Sequence, residues 1–148
     1  MLAVFAGFTW YYRLDPTSYA GYMAARRTAD WLRENTKPEA VVAGWDVGIV
    51  GGYSKRSVEN LDGLINSWNY KENYFDKGKT QDWIDAAPKV DYVAQYFQAD
   101  EMNPKKLSDY RGVDLLNWRV VFDEKITVRS WSNLGKASEE YYVVLATR

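Results

Sequence analysis

Apolar residues recur along this chain with two different spacings, and the spacing changes near residue 103. Before that point, steps of three and four residues between positions 16 and 34 predict an amphipathic helix. The short apolar run at residues 41–43 and the β-rich segment at 90–97 predict strands, and residues 57–61 are a further strand candidate. Alternation of helices and strands in this order predicts a parallel sheet with right-handed crossovers.

The first helix has clear start and stop signals. Asp15 and Pro16 are typical of an N-cap and a first helical position, and Pro38 lies beyond the predicted end near residue 34. The apolar face consists of Tyr22, Ala25, Ala29 and Leu32. Because a strand pattern follows directly, we expect this helix to pack against the sheet. A second, shorter helix is predicted at residues 80–87, with Thr80 as its N-cap and Pro88 as its stop.

After residue 103 the pattern alternates with period two at residues 118–122 and 126–131, and a last strand follows at 141–146. Turn-forming residues at 133–136 separate the last two of these. These strands are expected to be antiparallel. The predicted fold is therefore a single soluble α/β domain over residues 14–148, three-layer-like, with a mainly parallel sheet, flanking helices and an antiparallel C-terminal extension.

Residues 1–13 differ from the rest of the chain. The first twelve carry no charge and end in Trp10-Tyr11-Tyr12, which Arg13 follows. This run is shorter than the roughly 20 apolar residues that span a bilayer. Its aromatic ending, followed by an arginine, is similar to the end of a transmembrane helix at the lipid–water interface. We interpret residues 1–13 as the remnant of a transmembrane helix or, alternatively, as the first core element of a soluble domain.

Composition narrows the possible chemistry. The chain has 19 basic and 20 acidic side chains, well mixed, which argues against a nucleic-acid partner. It contains neither cysteine nor histidine. These absences exclude a cysteine nucleophile, a Ser-His-Asp triad and a histidine or thiolate zinc site. Neither a catalytic residue nor a metal site is predicted, and any metal would need oxygen ligands.

Polar side chains follow two neighbouring predicted strands at the point where each strand ends. Asp46 comes after the first strand, and Asn60 and Asp62 end the second. Open α/β sheets bind ligands at this edge. The predicted ligand-binding site therefore consists of Asp46, Asn60, Asp62 and Asn66, with Trp68 and Tyr70 as stacking surfaces.

Each of these residues also has a purely structural interpretation. Asp46 could be the N-cap of a short helix. Asn60 and Asp62 could form an Asx turn before Gly63. Trp45, Tyr53, Trp68, Tyr70 and Tyr74 together could form an aromatic platform for a sugar ring, but aromatic residues at such spacing are more often core.

Two further patterns next to this site are only weak indications of phosphate binding. Gly44, Gly48 and the pair at 51–52 suggest a phosphate-binding turn, although their spacing is not G-x-G-x-x-G and Asp46 would repel a pyrophosphate. Lys55 and Arg56 could meet a phosphate, but two adjacent charges usually mark a solvated turn.

With these segments in view, the chain resembles a known family over roughly residues 29–97. The segments ADWLRENTKPEAVV, GWDVGIVGGYSKRSVENLDGLINS and KVDYVAQYF, in this order, are similar to the C-terminal domain of GT-C type membrane glycosyltransferases. These enzymes are related to protein mannosyltransferases and lipid A aminoarabinose transferases. NLDGLINS after WDVGIVGGYS is the most specific part.

The resemblance implies an extracytoplasmic, membrane-anchored domain whose partner is the membrane portion of the same protein. It implies a polyprenyl-phosphate sugar donor for the full-length enzyme, with a glycan or lipid-linked sugar as the possible ligand here. In that family the catalytic carboxylate lies in a loop near the first membrane helices, so this stretch is expected to be a non-catalytic portion that assists acceptor or sugar binding. A free-standing carbohydrate-binding domain and a purely structural domain are the alternatives.

Overall fold

The structure is a computed structural model that describes residues 19–64, 66–86, 89–129 and 137–147. Its strands are β1 (Val41–Gly44), β2 (Ser57–Asn60), β3 (Tyr92–Gln98), β4 (Arg119–Arg129) and β5 (Ala137–Ala146). They form one sheet in the order β2-β1-β3-β5-β4. β1 pairs in parallel with β2 and β3, whereas β5 pairs antiparallel with β3 and β4. The predicted combination of a parallel part and an antiparallel C-terminal extension is confirmed.

Helices cover both faces of the sheet. They are α1 (Ala20–Asn35), α2 (Gly48–Ser54), α3 (Trp68–Tyr70), which continues as a π-helical turn (Lys71–Phe75), α4 (Thr80–Ala86) and α5 (Pro104–Leu107), with a 3-10 turn at Ala99–Glu101. Adjacent strand residues belong to opposite core clusters: Val42 packs with Leu32 of α1, and Ala43 packs with Ile84 of α4. This alternation creates three layers, as the period of a strand requires.

The direction of α1 follows from its contacts with β4. Trp31 stacks on Phe122 with 5.3 Å between ring centroids, and Arg27 donates to the Glu124 carboxylate at 2.8 Å. α1 therefore runs antiparallel to β4. Because β4 runs in the same direction as β3 and β1, the first turn of α1 lies at the edge where β1, β2 and β3 end. We call this edge the carboxyl edge and the opposite one the amino edge.

At the amino edge, charged side chains form hydrogen bonds with the backbone of neighbouring elements. The Arg56 guanidinium donates to the carbonyl oxygens of Arg33 and Thr36, at 2.6 and 2.8 Å, and so binds the C-terminus of α1. The Asp91 carboxylate accepts from the Val41 amide at 3.0 Å. The Arg56 guanidinium also donates to the Thr36 hydroxyl and to the Lys55 carbonyl oxygen, so it serves the fold, which argues against both the solvated-turn and the phosphate interpretations.

Some boundaries differ from the predicted ones. β4 is one continuous strand, whereas two strands were predicted with residues 123–125 between them. These charged residues fit a strand because Asp123 and Lys125 are exposed, while Glu124 bonds to Arg27 on the helix side. Thr80 is the first residue of α4 instead of its N-cap.

The predicted membrane remnant at residues 1–13, the helix start at Asp15 and the turn at residues 133–136 lie outside the described residues. Within the ranges that the structure covers, no helix combines the length and the apolar character needed to cross a membrane.

Candidate functional site

The carboxyl edge brings the ends of β1 and β2 side by side. Gly44 of β1 pairs with Asn60 of β2, so the residues that follow each strand are neighbours. Gly44 is necessary here, because a Cβ atom at this position would overlap the carbonyl oxygen of Ala94 on β3. The close approach of three backbones sets the position of the residues that follow.

Asp46 is exposed and has a left-handed backbone, with φ of 56°. Its amide lies 3.4 Å from Oδ2 of Asp62, which links the end of β1 to the end of β2. The interpretation of Asp46 as the N-cap of α2 is wrong. The N-cap is Val47, whose side chain makes no capping hydrogen bond. The Asp46 carboxylate therefore stands at the edge of the site without serving the helix.

Asn60 and Asp62 form a network of short-range hydrogen bonds. Oδ1 of Asn60 accepts from the Asp62 amide at 3.0 Å, and Nδ2 of Asn60 donates to Oδ2 of Asp62 at 3.2 Å. Oδ1 of Asp62 accepts from the Leu64 amide at 2.9 Å. Gly63, between Asp62 and Leu64, has a left-handed backbone with φ of 78°. The Asx-turn interpretation is confirmed, since both side chains bond to local backbone.

Asn66 joins the same network. Its Nδ2 donates to the carbonyl oxygen of Asn60 at 2.7 Å, and its Oδ1 accepts from the Ser67 amide at 2.7 Å. Nδ2 also lies 3.4 Å from a carboxylate oxygen of Glu59. The structure thus brings Asp46, Asn60, Asp62 and Asn66 together, as predicted.

The two aromatic candidates have opposite environments. Trp68 is 70% exposed, whereas Tyr70 is completely buried and donates its hydroxyl to the Leu61 carbonyl oxygen at 2.9 Å. The prediction of Tyr70 as a stacking surface is therefore wrong. Two residues apart on a helix, side chains differ by about 200° in direction and point to nearly opposite sides. Here, Trp68 faces solvent and Tyr70 faces the core. Trp45 is also buried, edge-on to Tyr110 at 5.3 Å.

The sequence interpretation missed Leu64. Its side chain is 84% exposed, and its amide is held by Asp62 in the loop that leads to Trp68. Phe75 closes the other side of this loop, because its ring packs over Gly63. The available signal was a leucine directly after an Asp-Gly turn, where no strand or helix would bury it.

Two residues of β5 near the same edge were also missed. Glu140 is buried; its Oε1 accepts from the Ser138 hydroxyl at 3.0 Å, and its Oε2 has no partner in the described part of the chain. Tyr142, two residues on, is buried on the α1 side of the sheet. A charged residue at an inward position of an alternating strand was the signal for Glu140.

Burial dominates the electrostatics of this edge. It raises the pKa of Glu140 because the carboxylate loses hydration. It also raises the pKa of Tyr142, and the negative charge of Asp46 adds to the shift. The pKa of Tyr70 is raised by burial, with a smaller contribution from Asp62. The phenols of Tyr70 and Tyr142 therefore stay protonated at neutral pH.

The glycines after Gly44 do not form a phosphate-binding loop. Gly48, Gly51 and Gly52 lie within the seven residues of α2, and none has a positive φ. Among the described residues, no group of three or more carboxylates gathers in a way that could hold a metal ion. The edge combines carboxylate acceptors, amide groups and one exposed indole, which are groups that bind hydroxyl-rich ligands.

Comparison with known proteins adds a family. No curated protein and no solved structure matches the chain. The model of a family described as a domain of unknown function, DUF8728, matches residues 13–144, which is most of the sequence and includes the whole carboxyl edge. The chain belongs to the DUF8728 family.

Proposed function

We propose that this chain is a non-catalytic, extracytoplasmic domain of a membrane glycosyltransferase and that it binds a sugar at the carboxyl edge. The observation that carries the proposal is the exposed indole of Trp68 beside the Asn60–Asp62–Asn66 network. Aromatic rings stack on the apolar faces of sugars, and carboxylates and amides bind hydroxyls from the side.

The ligand is a glycan or the sugar of a polyprenyl-phosphate donor, and the membrane portion of the same protein is the partner. This part of the proposal depends on the resemblance to GT-C type enzymes over residues 29–97. The resembling segments contain the second half of α1, β1, α2, β2 and most of β3, and the residues after β1 and β2 belong to the carboxyl edge. The similarity thus includes Asp46, Asn60, Asp62 and Asn66 of the proposed site, and the segment that contains them ends one residue before Trp68.

A specific observation favours a second candidate, a purely structural domain. Asn60, Asp62 and Asn66 use most of their polar atoms on one another and on nearby backbone. In that case these side chains only hold the loop, and Trp68 has no ligand. The same binding experiment separates the two candidates.

The test is calorimetric titration of the chain with neutral monosaccharides and their 1-phosphates at millimolar concentrations. Trp68→Ala is expected to weaken binding by about fivefold or more, because stacking of this kind is worth on the order of 1 kcal/mol or more. Tyr53→Ala is the matched control, since Tyr53 is an exposed aromatic residue on α2. No binding by the unmodified chain, or equal loss in both variants, would contradict sugar binding here and favour the structural candidate.

A further inference from the structure

Exposed apolar side chains are concentrated at the carboxyl edge and come from two separate elements. Leu64 and Trp68 project from the loop after β2, with 84% and 70% exposure. Tyr19 and Met23, at the first turn of α1, are 51% and 44% exposed. Because α1 runs opposite to β1, both groups lie at the same end of the molecule. Exposed apolar surface that is rimmed by polar residues is typical of protein–protein and membrane contacts.

The preceding chain reaches the molecule at this same edge. α1 begins here, only a few residues after the uncharged run at 1–12, whose last three residues are Trp10, Tyr11 and Tyr12. Tryptophan and tyrosine concentrate at the level of lipid headgroups because one side of each ring is apolar and the other bonds to water. The exposed Tyr19 and Trp68 extend this composition onto the folded domain.

The charged groups near the carboxyl edge indicate how this surface would bind a lipid bilayer. Asp46 is an exposed carboxylate at the edge, and Asp62 lies close to it. On α1, Arg26 is paired with Asp30, and Arg27 with Glu124. This arrangement does not attract anionic lipid, so contact would depend on apolar insertion.

We infer that the carboxyl edge is a membrane-contacting surface, in which Leu64 and the first turn of α1 enter the headgroup region of a phospholipid bilayer. Apolar area buried in the headgroup region supplies the affinity. The inference deepens the proposed function, because it puts the sugar-binding loop at the depth where the head of a lipid-linked sugar lies. Its failure is nevertheless separable, since its test contains no sugar.

The absence of cysteine allows a clean test by single labels. The variants Leu64→Cys and Met23→Cys place one environment-sensitive fluorophore each at the carboxyl edge. Leu116→Cys and Val120→Cys are matched controls, since these residues are 45% and 48% exposed but lie just before and within the first residues of β4, at the amino edge. The full 148-residue chain is added to phosphatidylcholine vesicles, with and without phosphatidylglycerol and a lipid that carries a nitroxide quencher in its acyl chains.

The expected result is a blue shift and lipid quenching for the labels at 64 and 23, and neither for those at 116 and 120. The shift should persist in high salt and without phosphatidylglycerol. The inference is overturned if the carboxyl-edge labels remain in water, which would leave a protein partner to cover the patch, or if all four labels respond equally. Leu64→Asp should reduce the fraction of chain bound to vesicles, whereas Leu116→Asp should not.

Discussion

The two edges of the sheet differ in how their polar and apolar groups are used. At the amino edge, the charged groups of Arg56 and Asp91 form hydrogen bonds with backbone atoms at the end of α1 and in β1. At the carboxyl edge, Asp46 has an exposed carboxylate, and Leu64 and Trp68 project into solvent. The charged groups of the amino edge are therefore used by the fold, whereas the carboxyl edge keeps a carboxylate and two apolar side chains accessible.

The largest expected effect tests whether the carboxyl edge depends on the close approach of its strands. Gly44→Ala should destabilise the protein by about 3 kcal/mol or more, because the new Cβ would overlap the Ala94 carbonyl and push β1 from β3. Chemical denaturation measures the loss. Gly52→Ala is the control; among the described residues no atom outside α2 lies within 4 Å of its Cβ position, so it should stabilise by roughly 0.5–1 kcal/mol. A reversal of the two signs would refute the packing account.

The next effect concerns the amino edge. Arg56→Met keeps the apolar stem but removes the donors to the Arg33 and Thr36 carbonyls, and should cost about 2 kcal/mol. Lys55→Met is the control and should stay within about 0.5 kcal/mol. The free energy of unfolding measures both. If the two variants lost equal stability, Arg56 would contribute general charge instead of a helix cap.

A smaller effect distinguishes the two aromatic residues of α3. Tyr70→Phe leaves the buried Leu61 carbonyl without its donor and should cost about 1–2 kcal/mol. Trp68→Ala should change stability by no more than about 0.5 kcal/mol, because the ring is mostly solvated. A large loss of thermal stability in Trp68→Ala would mean that the indole supports the fold and is unavailable to a ligand.

The smallest effect depends on pH. Burial raises the pKa of Glu140 above its value in the unfolded chain, so the folded state loses stability as pH rises through that raised pKa. Glu140→Gln should therefore stabilise at neutral pH, by less than about 1 kcal/mol, and the gain should vanish below pH about 4, where Glu140 is protonated in both states. Denaturation midpoints across pH measure this.

Glu139→Gln is the control for that series, since Glu139 is exposed and pairs with Lys125 at the surface. Such pairs contribute little, so this variant should show no gain at neutral pH. An identical pH profile for both variants would show that burial of Glu140 does not control the effect.

Much of the fold could be predicted because its signals are local. The segments that become β1, β2 and β3, and the stop of α1 before Pro38, are visible in the sequence. β4 was predicted as two strands because its middle is charged. That stretch is continuous because its backbone pairs with β5 and because Arg27 on α1 pairs with Glu124 across the fold.

The site was predictable in its location and less so in its details. Asp46, Asn60 and Asp62 follow from the rule that parallel strands end at a common edge. The burial of Tyr70 and the exposure of Leu64 depend on the direction of a short helix and a loop, which residue composition does not reveal. The left-handed backbone of Asp46 was also hidden, since no glycine marks it.

Residue-resolved NMR during a sugar titration tests the central claim most directly, because each edge has its own reporters. The account predicts shifts for the Trp68 indole and the Asn66 side-chain amide, with none for the Arg56 guanidinium or the Val41 amide. Shifts at the amino edge, or no shifts at either edge at saturating sugar, would contradict the account.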